Sequence, residues 1–246
     1  MRLYDEIIRD ILTFLGEQDA HILPVGAAAD PVSRDWQDAG KAMMILQSDM
    51  AYELGGHNLP AVGNTLVTTG KDFVPEDEII LIGKDLPEIT EDTPYARIAL
   101  VRVAEGSIGT GDRLYNTIRN IGYFRYHIYP KGFMLRVSSS NDRESVRVEA
   151  EALNEGLNFT AIGNAMLRAL HLHKEVEAVR IIFVTDPKVD YGRLQDGLKK
   201  TKQITATIDH MLKDVNMDCG SCGLQEICDE IEGLREMHFG MSEEHT

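Results

Sequence analysis

Positive charge is the first thing this chain is short of. Its 246 residues carry 25 Lys and Arg against 40 Asp and Glu, a formal net charge of -15. A surface of that sign repels phosphate backbones and anionic headgroups and offers no basic stripe, so neither nucleic acid nor a membrane surface is expected as a partner. Long hydrophobic runs are also missing: none approaches the roughly 18 residues of a spanning helix. The opening stretch MRLYDEIIRDILTFLGEQ sets acids inside its apolar pattern, which does not suit a signal peptide. These absences predict a soluble cytoplasmic protein. Cysteine is scarce, with three in all, and three thiols cannot all pair. In a reducing compartment they point to metal or redox chemistry rather than a structural disulfide. There is no internal repeat, no low-complexity tract and no serine–histidine–acid set of the kind a nucleophilic triad needs.

What is present suffices for a core. Hydrophobic residues make up 43% of the chain, enough to fold most of it without metal. Leu3, Ile7, Ile11, Phe14 and Leu15 share one helical face, and that helix is expected to end near Gly16. From Ser33 to about Leu54 few breakers occur, and Met43, Met44, Leu46 and Met50 predict a second helix, the methionines as core filler, stopped by Gly55 and Gly56. The runs AVGNTLVTT, EIILIG and ARIALVRVA between Ala61 and Ala104 predict strands. A helix follows over about 110–123, then a strand at FMLRVS, 133–138. Asn141 with Glu144 reads as a capping box opening a helix along Val146, Ala150 and Leu153. A helix from Ala161 to Leu172, a strand over 178–185 and a helix from Tyr191 to Leu212 complete the body. Irregular alternation favours an α+β fold, a mixed sheet with flanking helices, over a doubly wound parallel sheet. Three parts are expected: a helical segment 1–55 packed on the rest, an α+β domain 56–213, and a cysteine loop with a last helix, 214–246.

The loop MDCGSCGLQEIC places Cys219 and Cys222 around a Gly-Ser turn and Cys228 at the start of a helix, whose dipole lowers a thiol pKa. Three thiolates suit zinc or an iron-sulfur cluster, each of which normally takes four ligands. His238, His210, Asp218, a second subunit's cysteine or an exogenous ligand could supply the fourth, and three metal-free thiols are the plain alternative. Other features have plain readings. EGSIGTGDRL fits no phosphate-loop spacing and reads as a turn leading into a helix. His171 and His173 point apart on a helix, as surface residues. Arg125, Arg136, Arg143 and Arg147 could bind an anion, though ion pairs with the abundant acids are the simpler role.

The segments EDEIILIGKDLPEITEDTPYARIALVRVAEG (76–106), MLRVSSSNDRESVRVEAEALNEGLNFTAIGNAML (134–167) and VEAVRIIFVTDP (176–187), with MAYELGG (50–56) before them and the Cys-x-x-Cys loop after, resemble in order and spacing the middle region of acetyl-CoA synthase. That enzyme is the β subunit of the carbon monoxide dehydrogenase/acetyl-CoA synthase complex. The resemblance spans about residues 45–230. It implies an A-cluster, a four-iron cluster bridged to two nickel sites, at which a corrinoid-borne methyl group, carbon monoxide and coenzyme A are joined. Cys219, Cys222 and Cys228 match the first three cluster cysteines, with a shorter gap to the third. The fourth has no counterpart, and the family's later Cys-Gly-Cys for nickel is absent too. Arg136 and Arg147 are the nearest matches to arginines that face coenzyme A.

The resemblance therefore implies a non-catalytic or accessory protein of anaerobic one-carbon and corrinoid metabolism. It would bind an iron-sulfur cluster of 4Fe-4S type, or zinc, through three cysteines. Corrinoid protein, methyltransferase and carbon monoxide dehydrogenase subunits would be its partners, with a homo-oligomer also open. A structural or interaction module with zinc or no metal, and a partial synthase active only with a partner chain, are the alternatives.

Overall fold

A computed structural model describes residues 3–26, 44–56, 58–107, 111–126, 128, 130–138 and 143–213. Its centre is a five-stranded sheet ordered β1-β4-β8-β5-β3, built from β1 (Ala20–Leu23), β3 (Ala61–Thr68), β4 (Glu78–Ile82), β5 (Tyr95–Val103) and β8 (Val176–Val184). β3 runs parallel to β5 and β4 parallel to β8, while β5–β8 and β1–β4 are antiparallel. The sheet is mixed, as the irregular alternation predicts. β5 and β8 read as almost unbroken apolar runs because both of their faces are covered.

One face carries α1 (Asp5–Gly16) and α5 (Tyr191–Lys213). α1 buries Ile7, Ile8, Ile11, Phe14 and Leu15, and α5 buries Leu194, Leu198, Ile204 and Ile208, each set at helical spacing. The Tyr4 hydroxyl bonds Thr205 Oγ1 at 2.9 Å and joins the two helices. The other face carries α4 (Phe159–Leu170) and a second, antiparallel sheet, ordered β2-β7-β6, of β2 (Met50–Leu54), β7 (Arg143–Glu149) and β6 (Phe133–Ser138). Phe159 is the aromatic hub there, stacked on Phe183 with centroids 4.5 Å apart and flanked by Tyr95 and Phe133. α4 begins at Asn158, whose Oδ1 accepts the Ala161 N–H at 2.9 Å, an N-cap that satisfies a first-turn donor. α2 (Gly111–Gly122) and a 3-10 turn (Tyr123–Tyr126) stand beside β3 and reach α5. α3 (Ala150–Asn154) is a single turn after β7.

Two predicted helices are partly strands instead. Met50–Leu54 forms β2, and residues 44–49 are loop and turn; the remainder of the predicted Ser33–Leu54 helix lies mostly outside the described residues. Met44 is 72% exposed rather than core. Arg143–Glu149 forms β7 in place of a capped helix, because Glu144, Val146 and Val148 alternate inward at period two. Asn141, the proposed cap, lies outside the described residues.

Candidate functional site

Arg97 lies in the middle of β5 and is fully buried, a costly place for a charge. Its register partner on β3 is Gly63, and Glu144 enters from β7 through the space a Gly63 side chain would occupy. The pair is bidentate: Arg97 Nε donates to Glu144 Oε1 at 2.5 Å and Nη2 to Oε2 at 2.7 Å. Nη1 donates to the Asn64 carbonyl and to Thr65 Oγ1, both at 3.3 Å. The Phe124 ring lies 5.1 Å from the guanidinium carbon. Burial opposes the charge on Arg97, but the Glu144 carboxylate and its hydrogen bonds hold it firmly ionised. Glu144 also faces Arg125, whose Nη1 is 3.6 Å from Oε2. Nearby, burial chiefly, with Glu144 adding to it, raises the Tyr95 phenol well above its usual range. The Tyr95 hydroxyl has no hydrogen-bond partner among the described residues.

Glu53 of β2 repeats the arrangement on the opposite face of the three-stranded sheet. Its register partner is Arg147 of β7, one residue out of phase with the inward set. Arg147 Nε donates to Glu53 Oε1 at 2.7 Å and Arg136 Nη1 to the same oxygen at 2.9 Å. Here Gly56 supplies the space, since a Cβ there would lie 2.5 Å from Glu53 Oε2. Arg147 also reaches the Ile45 carbonyl at 3.0 Å. Arg143 donates to the carbonyls of Gly55 and Leu59 at 2.7 and 2.8 Å. Arg136 and Arg147 are therefore brought together, on one carboxylate, and Arg125 is separated from them by the thickness of the sheet.

Above the Arg97–Glu144 pair, between β3, α2 and α5, opens a cavity of about 500 Å³. Gly63, Asn64 and Thr65 line it from β3, Tyr115, Arg119, Tyr123 and Arg125 from the α2 side, and Thr201, Lys202 and Asp209 from α5. Arg119 Nε donates to the Tyr123 hydroxyl at 2.6 Å, and that bond raises its pKa further.

The description "CO dehydrogenase/acetyl-CoA synthase complex beta subunit" belongs to the protein family that matches residues 37–189. The chain is a member of this family. No curated protein matches it. The matched region holds β2 through β8, hence both carboxylate–arginine clusters and the β3 and α2 walls of the cavity, but neither α1 nor α5. It also stops short of Cys219, Cys222 and Cys228, which lie outside the described residues, as does His238. Among the described residues no group of three His, Cys, Asp or Glu could hold a metal, and no helix is long and apolar enough to cross a membrane.

His171 pairs with Asp77 at 2.8 Å, on the surface as its spacing with His173 implies. Residues 108–110 of the glycine-rich stretch lie outside the described part, and Gly111 opens α2. Arg97 and Glu53 are the residues that sequence reading passed over, and Glu144 is one that it placed in a helix cap instead. Their signal is a lone charge at an inward strand position together with a glycine in a strand or just after one.

Proposed function

We propose that this family member is an accessory protein of one-carbon and corrinoid metabolism, carrying an iron-sulfur cluster on Cys219, Cys222 and Cys228 and working with subunits of the carbon monoxide dehydrogenase/acetyl-CoA synthase complex, a corrinoid protein or a methyltransferase. The observation that carries it is the family match over residues 37–189, followed some thirty residues on by a Cys-x2-Cys-x5-Cys set. Three thiolates fit iron–sulfur chemistry by donor type and leave one position for a ligand from elsewhere. A cluster there would supply electron transfer or a docking point for a second metal. The chain's own contribution would be Gly220 and Gly223 beside the cysteines and the acids Asp218, Glu226 and Asp229 that neighbour them in sequence.

Iron and sulfide analysis with visible absorption on anaerobically purified protein is the test. Bound iron and sulfide with broad visible absorption are expected; a colourless preparation free of iron sinks the cluster, and zinc in its place supports the structural reading of the loop. The same proposal gives Arg136 and Arg147, two guanidinium groups on one carboxylate, an anion such as a coenzyme A phosphate as their further partner. Arg136→Gln is expected to weaken coenzyme A binding, and unchanged binding would leave the arginines as partners of Glu53 only.

A further inference from the structure

We propose that the cavity between β3, α2 and α5 binds a small organic anion that carries a planar ring. Its lining inverts the charge of the molecule: the whole chain is at -15, yet Arg119, Arg125 and Lys202 line the cavity against Asp209, the single acid among its described lining residues. The charge beneath it is unbalanced in the same sense. Among the described residues Arg97 and Arg125 share one carboxylate, Glu144, so this cluster carries one positive charge in excess. Arg97 has spent its donors on Glu144, Asn64 and Thr65. Arg125 has not: its buried Nε–H has no hydrogen-bond partner among the described residues, and an unpaired donor on a charged group is expensive to keep.

An anion at Arg125 and Arg119 would balance the cluster and use the planar fork of a guanidinium, which suits carboxylate and phosphate alike. The remaining walls select what the anion is attached to. Tyr115, Ile118 and Leu198 are apolar or aromatic surface, and Arg119 already lies 5.9 and 5.1 Å from the ring centroids of Tyr115 and Tyr123, a geometry that accepts a further stacked ring. A volume of about 500 Å³ is in the range that encloses a molecule of mononucleotide size.

None of the cavity's described lining residues belongs to the Glu53 cluster, so the site is tested on full-length protein with no metal added. Titration calorimetry would use AMP as the ring-bearing phosphate, benzoate as the ring-bearing carboxylate and adenosine as the uncharged control. At least one anion is expected to bind, about tenfold or more tighter than adenosine, with an affinity that falls as salt rises. Arg119→Gln should weaken it about tenfold. Ala206→Trp, at an exposed position on the cavity lining, should abolish it by filling the space. Circular dichroism would show both variants folded, as expected for changes at exposed residues. Binding of AMP but not benzoate assigns a phosphate, and the reverse assigns a carboxylate. The proposal is overturned if neither anion binds up to millimolar concentration, if adenosine binds equally well, or if folded Ala206→Trp binds as the parent does.

Discussion

Glu144 and Glu53 show what a single missing Cβ can hold in place. Each carboxylate sits in the space left by a glycine, Gly63 for one and Gly56 for the other, and each receives two arginines. The Arg97–Glu144 pair is the more buried of the two and ties β5 of the large sheet to β7 of the small one. Removing one partner of such a pair strands the other charge in a dry interior, which costs about 3–5 kcal/mol. Glu144→Leu and Arg97→Met should each lower unfolding free energy by that much in urea titrations, and the double variant should recover most of the loss. Failure of the double variant to recover would mean that the bonds from Arg97 to Asn64 and Thr65, rather than the charge pair, hold the strands. Tyr95 runs the other way. Its buried hydroxyl has no partner among the described residues, so Tyr95→Phe should leave stability unchanged or raise it by up to about 1 kcal/mol. A loss larger than that would reveal a hydrogen bond made through solvent.

At the scale of elements, α1 is held on α5 by apolar packing and by the Tyr4–Thr205 hydrogen bond. Burial, partly offset by that bond, pushes the Tyr4 phenol from 10.0 up to about 12. The fold thus favours neutral Tyr4, and the stabilisation is fully present below pH 10, where folded and unfolded chains are both protonated. Between pH 10 and 12 only the unfolded chain ionises, so stability falls as pH rises, by roughly 2–3 kcal/mol from this residue. Tyr52 and Tyr191 are also raised by burial and give the parent further alkaline sensitivity. The measurement is therefore a comparison: Tyr4→Phe should lose less stability than the parent across that window, and parallel curves would refute the assignment.

The elements most legible in the sequence are those whose period is uniform. β5, β6, α1, α4 and α5 fall within a few residues of their expected limits because apolar residues dominate them, β5 even around its buried Arg97. β7 was open to misreading because its inward set begins with Glu144, leaving Val146, Ala150 and Leu153 to suggest a helical stripe. β2 is five residues long with a buried glutamate in it, too short and too mixed to show alternation. The same buried charges that hide these two strands build the clusters, so the candidate site was the least legible part of the fold. The family resemblance singles out Arg136 and Arg147 as matches to coenzyme A-facing arginines, but nothing in the sequence marks Glu53 as the carboxylate they share.

For the whole molecule, the described core draws on both ends of the described chain. α1 and α5 lie outside the family match, yet they pack on one face of the five-stranded sheet, and with α4 and the second sheet they enclose a continuous hydrophobic cluster from Leu3 to Ile208. That cluster, made of described residues alone, is large enough to stabilise a domain without a metal. A metal bound by Cys219, Cys222 and Cys228 should then be a passenger on a finished fold rather than its keystone. Replacing all three by serine should remove bound iron entirely while shifting the urea unfolding free energy by no more than about 0.5 kcal/mol, the usual effect of a change away from the core. Loss of several kcal/mol together with the iron would mean the opposite, that folding and metal binding are coupled as in small metal-organised domains. In that event the cysteine loop would have to be packed against α5 as part of the same cooperative unit.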